Sequence, residues 1–190
     1  RYGEHPAVAD ASPTLASIHL RPVVVWNASR RCNLHCAHCY SSSQNMDYPG
    51  ELTTAEGEAF IDDLASYGVP VLLLSGGEPL MNKDVFGFIA HATGRGMRVT
   101  LSTNGTLITP EVAGKLKTAR ISYAGVSLDG LGSVNDKFRG KRGAFQEAMM
   151  GIQAAKAAGL RVGLRFTLTR LNFGELEGIM ELAAREVPRI

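Results

Sequence analysis

Three cysteines in this 190-residue chain fall within eight positions, as Cys32-x3-Cys36-x2-Cys39. Thiolates are soft ligands suited to iron–sulfur chemistry. Three of them can bind three irons of a cubane and leave the fourth iron open, free to chelate a small molecule through an amine and a carboxylate. The intervening Asn33 and Ala37 are small or turn-friendly, as a loop curling round a cube requires. A zinc site is the alternative, with His35 or His38 as fourth ligand. An odd, tightly spaced set is a poor disulfide framework. A reducing cytoplasm fits it better.

Further polar residues stand at regular intervals along the chain. Ser75-Gly76-Gly77-Glu78-Pro79 follows an apolar run. Its glycines let backbone approach a ligand, its carbonyls and Glu78 can accept from an ammonium group, and Pro79 stiffens the turn. Ser102-Thr103-Asn104 and Ser127-x-Asp129 end two more such runs. Arg165 lies between Leu164 and Phe166, where a charge is costly unless paired. Its guanidinium suits a bidentate contact to a ligand carboxylate. An internal ion pair to Asp129 or Glu78 is the alternative.

The elements that position these residues alternate strand and helix. Strands are expected at Val23–Trp26, Val71–Leu74, Arg98–Ser102, Tyr123–Leu128 and Arg161–Thr169, all apolar or β-branched as buried parallel strands are. Thr53-x-x-Glu56 is a capping box for a helix to Tyr67, and Gly68 suits its C-terminal stop. Helices also follow at Asp84–Ala92, from the Thr109-Pro110 start, from Ala144 to Gly159, and at 174–186. Residues 131–142 read as a long polar loop. Five βα units in series predict an α/β fold: a partial TIM-like (β/α)6 barrel with helices outside a parallel sheet. Its polar signals cluster at the C-terminal strand ends, where such folds bind ligands. Residues 1–20 read as an irregular lead-in and 21–190 as one core domain, with a sixth strand able to begin at 188–190.

Composition narrows the function classes. The chain is 45% hydrophobic and 20% charged with net charge +2. That balance is ordinary for a globular domain and too weakly basic to point to nucleic acid or an acidic membrane surface. No apolar run is long enough for a membrane span.

The cysteine spacing after a first strand, with GGEP one βα unit later, resembles the signature of the radical S-adenosylmethionine (SAM) superfamily. The resemblance implies a 4Fe-4S cluster on Cys32, Cys36 and Cys39 and S-adenosylmethionine at its open iron. His38 stands where the family usually has an aromatic residue, with Tyr40 nearby, so either ring is a candidate for the adenine. Gly76, Gly77, Glu78 and Pro79 are expected at the methionine amine. Ser102 and Asn104 are expected near the ribose and methionine, and Ser127, Asp129 and Arg165 around the carboxylate. The implied chemistry is reductive cleavage to a 5′-deoxyadenosyl radical, which abstracts hydrogen and demands no side-chain general base. A flavodoxin or ferredoxin is the expected electron donor.

The runs WNASRRCNLHCAHCYSSS, GVPVLLLSGGEPL and GVSLDGLGSVNDKFRG further resemble siroheme-modifying enzymes of alternative haem biosynthesis. Such a resemblance implies removal of acetate side chains from didecarboxysiroheme. Arg30, Arg31, Arg139, Lys141 and Arg142 would then form a basic rim for the tetrapyrrole carboxylates. Members of that type carry a C-terminal extension whose cysteines, in many, bind an auxiliary 4Fe-4S cluster, and no cysteine follows Cys39 here. The alternatives are a SPASM-type peptide-modifying maturase sharing cofactor and barrel, and a non-catalytic zinc or iron–sulfur binding module.

Overall fold

A computed structural model of the chain describes residues 21–187. Five strands lie side by side in chain order, every neighbouring pair parallel. They are β1 (Val23–Ser29), β2 (Val71–Gly76), β3 (Arg98–Thr103), β4 (Tyr123–Ser127) and β5 (Val162–Arg165). Six α-helices connect and follow them: α1 (Thr54–Tyr67), α2 (Val85–Gly94), α3 (Pro110–Thr118), α4 (Gly132–Arg139), α5 (Ala144–Ala157) and α6 (Leu176–Glu186). This is the partial TIM-like barrel that the strand–helix alternation predicts. The expected lead-in at 1–20 and sixth strand at 188–190 lie outside the described residues.

Alternation along the strands divides the molecule. Leu72, Leu74, Val99, Leu101, Ala124 and Val126 are fully buried and turn to the helix side. There they meet Ile61 of α1, Phe88 and Ile89 of α2, Leu116 of α3 and Ile152 of α5. Helix ends follow their sequence signals. Thr53 accepts from Glu56 N while the Glu56 carboxylate accepts from Thr53 N, closing the capping box. Gly68 stops α1 at φ 84°, in the left-handed region where a Cβ is costly. Thr109 caps α3, and Pro110 occupies its first turn.

Two expected elements differ. Residues 132–139 are helix α4, not loop. Its inward positions are Asn135, Phe138 and Arg139, so only one apolar side chain marks the buried face and no apolar period exists to read. The fifth strand ends at Arg165, not Thr169. Its pairing stops there because Thr167 N donates to the Asp129 carboxylate at 3.1 Å rather than to a neighbouring strand.

Candidate active site

The three cysteines sit on the segment joining β1 to α1 and line one cavity of about 490 Å³. None is in a disulfide. Their loop is held from two sides. Gly77 N donates to Ser29 O and Glu78 N to Arg31 O, both at 2.8 Å, which ties the end of β2 to the start of the loop. On the other side His35 N donates to Arg139 O at 3.1 Å and Ala37 N to Phe138 O at 2.8 Å, so the last turn of α4 grips the middle of the loop.

The glycines of GGEP serve this contact. A Cβ on Gly76, at φ 128°, would fall on the Ser29 carbonyl, and one on Gly77 would lie 2.5 Å from the Arg30 and Arg31 carbonyl oxygens. Both residues line the cavity, yet it is protein backbone, not ligand, that excludes their side chains.

Glu78 departs further from expectation. Its carboxylate is 0% exposed and takes all its hydrogen bonds from protein. Leu80 N donates at 3.1 Å, Thr103 Oγ1 at 2.8 Å and Asn104 N at 2.8 Å. These bonds lock the ends of β2 and β3 together, and Glu78 does not line the cavity. Burial pushes its pKa up to about 7 against these three donors. Pro79 is likewise buried, at the start of a short 3-10 turn, and does not reach the cavity.

The ends of β3, β4 and β5 do reach it. Ser102, Asn104, Ser127, Arg165 and Thr167 all line the cavity. Arg165 Nη1 donates to Ser102 Oγ at 2.9 Å, and its side chain lies across Gly125, where a Cβ would meet the guanidinium. The internal ion pair weighed for Arg165 does not form; its charge faces the open cavity. Asn104 Nδ2 donates to Asn33 Oδ1 at 2.8 Å, fixing the loop residue after Cys32.

Asp129 is fully buried and does not line the cavity. It stands behind two residues that do line it. Arg139 Nη2 approaches Asp129 Oδ2 to 2.7 Å, with its N–H off the line of a hydrogen bond, and His38 Nε2 lies 3.6 Å from the same oxygen. His38 packs on the Phe138 ring, with centroids 4.8 Å apart, and its Nδ1 is buried without a partner. Tyr40 also borders the cavity but is 75% exposed, its hydroxyl donating to Asn27 at 3.2 Å.

The expected basic rim is dispersed. Arg139 is 7% exposed and belongs to the interior of the site. Arg31 pairs with Asp47 at 3.1 Å, and Lys141 with Glu147 at 2.6 Å. Arg30 Nε donates to Ser41 O at 2.8 Å, and its guanidinium lies over the Tyr48 ring. Only Arg142 of the five is exposed with no side-chain partner among the described residues. The Ser41 hydroxyl, whose only signal was its polarity beside a cysteine, lies 3.5 Å from the Cys39 sulfur, and the Ser43 backbone N–H donates to that sulfur at 3.4 Å.

These surroundings separate the three thiols. Burial pushes Cys32 up to about 11. Burial also raises Cys36, against the pull of the nearby Arg139 guanidinium. At Cys39 burial acts upward too, but hydrogen bonds with Ser41 and Ser43 outweigh it and hold the thiol below its ordinary value. Cys39 is thus the readiest of the three to become a thiolate, and binding metal through the thiols expels their protons. Among the described residues, no three His, Cys, Asp or Glu side chains gather closely enough for a single metal ion. A cubane makes no such demand, since each thiolate meets a different iron. Three thiols round one cavity, with buried Nδ1 of His38 and Nε of Arg139 unpaired beside them, fit a cluster and a polar ligand. A larger hollow of about 770 Å³ borders α3 and α5 but contains no thiol.

The family model described as the radical SAM superfamily matches residues 26–183. The chain belongs to that superfamily. It is 49% identical over 191 residues to the Fe-coproporphyrin III synthase of Methanosarcina barkeri, covering 100% of this chain and 48% of the relative. It is 42% identical to the pre-heme d1 synthase of Dinoroseobacter shibae, covering 92% of this chain and 43% of that one. The chain thus spans about half the length of these curated relatives. In fold it resembles SuiB of Streptococcus suis bound to S-adenosylmethionine, with TM-score 0.70 at 19% identity over 83% of this chain and 36% of that one. No helix among the described residues is long and apolar enough to cross a membrane.

Proposed function

We propose that this chain is the cluster- and cofactor-binding core of a radical SAM enzyme that removes acetate side chains from didecarboxysiroheme. The observation that carries the reading is the single cavity shared by three free thiols and the Ser102–Arg165 pair. Cys32, Cys36 and Cys39 would hold a 4Fe-4S cluster, and Arg165 would receive the carboxylate of S-adenosylmethionine. Bound there, the cluster and S-adenosylmethionine would supply radical chemistry able to take hydrogen from an unactivated carbon.

The protein's part is orientation and charge. Ser102 holds the Arg165 guanidinium toward the cavity, and Ser127 is available beside it for the same carboxylate. His38, braced by Phe138 and lying beside Asp129, presents a flat polar ring for the adenine. Glu78 does not touch the ligand but fixes Thr103 and Asn104, and through Asn104 the start of the cysteine loop. The tetrapyrrole substrate draws support from the relatives, one named for an iron coproporphyrin and one for a haem d1 precursor. An electron donor of the flavodoxin or ferredoxin type belongs to the same reading.

The test is anaerobic reconstitution with iron and sulfide, followed by reduction and addition of S-adenosylmethionine. The expected product is 5′-deoxyadenosine, with loss of acetate mass from didecarboxysiroheme when it is supplied. Cys32→Ala, Cys36→Ala and Cys39→Ala should each abolish cluster retention. Normal iron content in any of them contradicts the ligand assignment, and cofactor cleavage without a mass change in the tetrapyrrole contradicts the substrate assignment alone.

A further inference from the structure

We propose that Arg139 sets the electron affinity of the cluster through Cys36, and that Asp129 is the counter-charge that fixes it there. The proposal rests on the reading of the three cysteines as cluster ligands. Arg139 is a buried cation, 7% exposed, with one carboxylate, Asp129, against it, and burial of a charge demands a reason. Its Nη1 donates to Cys36 Sγ at 3.6 Å, while Nη2 stands 2.7 Å from Asp129 Oδ2. The guanidinium therefore bridges a ligand sulfur and a carboxylate. Its Nε is buried and unpaired, so the ion pair with Asp129 leaves part of its donor capacity unused.

The bridge is rigid at both ends. The Arg139 carbonyl accepts from His35 N, and at Gly140, φ 66°, a Cβ would strike the His35 carbonyl. Arg139 is thus clamped to the cysteine loop through backbone as well as side chain. Asp129 is fixed in turn: Thr167 N donates to its carboxylate at 3.1 Å, its own N donates to Asn135 Oδ1 at 2.9 Å, and Asn172 Nδ2 donates to its carbonyl at 3.1 Å. Asn135 and Arg139 lie four residues apart on one face of α4, so a single helix presents both the group that positions the carboxylate and the cation that meets it.

Hydrogen bonds to the ligand sulfurs, net charge and solvent exposure set the potential of such a cluster. Reduction adds negative charge. A cation with an N–H on a ligand sulfur favours the reduced state, and a bare carboxylate in the same place opposes it. Both side chains are buried, Asp129 fully and Arg139 to 7% exposure, where charges act more strongly than in water. The two residues should therefore move the potential in opposite directions, which a merely structural role would not do.

The experiment is an anaerobic redox titration of the reconstituted full chain without S-adenosylmethionine, so that no cofactor contact enters. Absorbance near 400 nm and the electron paramagnetic resonance signal of the reduced cluster report the midpoint. Arg139→Gln should shift it to lower potential and Asp129→Asn to higher potential. Arg139→Lys, which keeps the charge but not the fork, should fall between wild type and Arg139→Gln. If Arg139→Gln fails to fold, Asp129→Asn and Arg139→Lys carry the same opposed signs. Wild-type midpoints at normal iron content, or shifts of one sign in all variants, overturn the proposal and leave the cysteine assignment standing. A wild-type chain that takes up no iron and sulfide overturns the cysteine assignment itself, and this proposal with it.

Discussion

The two faces of one sheet obey different rules. On the helix side Leu72, Leu74, Val99 and Leu101 are fully buried against α1, α2 and α3. On the other side Ser75 and Ser102, next in sequence to Leu74 and Leu101, face a cavity together with Ser127 and Arg165. Two faces that differ by one residue of register thus separate a dry core from a reactive hollow. The first is built by burying apolar area, which is non-directional and tolerant of exact identity. The second is built by hydrogen bonds, each needing one donor and one acceptor in place. Substitutions on the two faces should therefore fail differently: the first in stability, the second in binding.

The largest effect is expected on the core side. Leu101→Ala removes a fully buried side chain from the centre of β3. The loss should be about 2–5 kcal/mol of unfolding free energy, from lost transfer energy and the cavity left behind. Chemical denaturation followed by circular dichroism measures it. A loss under about 1 kcal/mol would mean that the helix layer relaxes into the gap, and would contradict the separation of the two faces.

The same division explains what could be read in advance. The core face was legible because apolar, β-branched runs and helix caps are written in residue type. The five strands and the capped starts of α1 and α3 follow directly from Val71–Leu74, Thr53-x-x-Glu56 and Thr109-Pro110. On the site face residue type marked candidates but not which way they pointed. Ser102, Ser127 and Arg165 line the cavity. Glu78 and Asp129 were equally conspicuous, yet both turn away and hold neighbours in place. A carboxylate at a strand end looks the same in sequence whether it meets a ligand or a backbone N–H. Helix α4 stayed hidden because its buried face is Asn135 and Arg139 with a lone Phe138. A polar face buried against polar partners leaves no hydrophobic period, and those partners lie far away in the chain.

Glu78 offers a finer probe, because it is a site-side group as buried as any core residue. Its pKa is raised from 4.5 to about 7, chiefly by burial. An acid with a raised folded pKa holds its proton more tightly when folded. Its contribution to stability is fully present below the unfolded value and is lost as pH rises through about 7. At about 1.4 kcal/mol per pH unit, the span between the two values amounts to roughly 3 kcal/mol. Denaturation midpoints should therefore fall between pH 5 and pH 7.5. Glu78→Gln should flatten that slope. It should also start less stable by about 1–3 kcal/mol, because an amide cannot accept from all of Leu80 N, Thr103 and Asn104 N at once. An unchanged slope in the variant would place the titrating group elsewhere.

The smallest effect on stability should come from Ser102, next in sequence to Leu101 and on the opposite face. Its hydroxyl accepts one hydrogen bond, from Arg165 Nη1, at a cavity wall that water can reach. Ser102→Ala should cost under about 1 kcal/mol, since the freed guanidinium can be solvated. The Arg165 side chain would still lie across Gly125, but nothing would fix its rotation. Binding of S-adenosylmethionine to the loaded protein, read by isothermal calorimetry, should weaken about tenfold while the denaturation midpoint stays near wild type. Ser127→Ala serves as the partner measurement, because Ser127 lines the same cavity without bonding Arg165. An equal loss of affinity in both variants would mean that the two hydroxyls meet the cofactor directly. A loss confined to Ser102→Ala would mean that the serine acts by aiming the arginine. A destabilisation by Ser102→Ala as large as that of Leu101→Ala would erase the distinction between the faces.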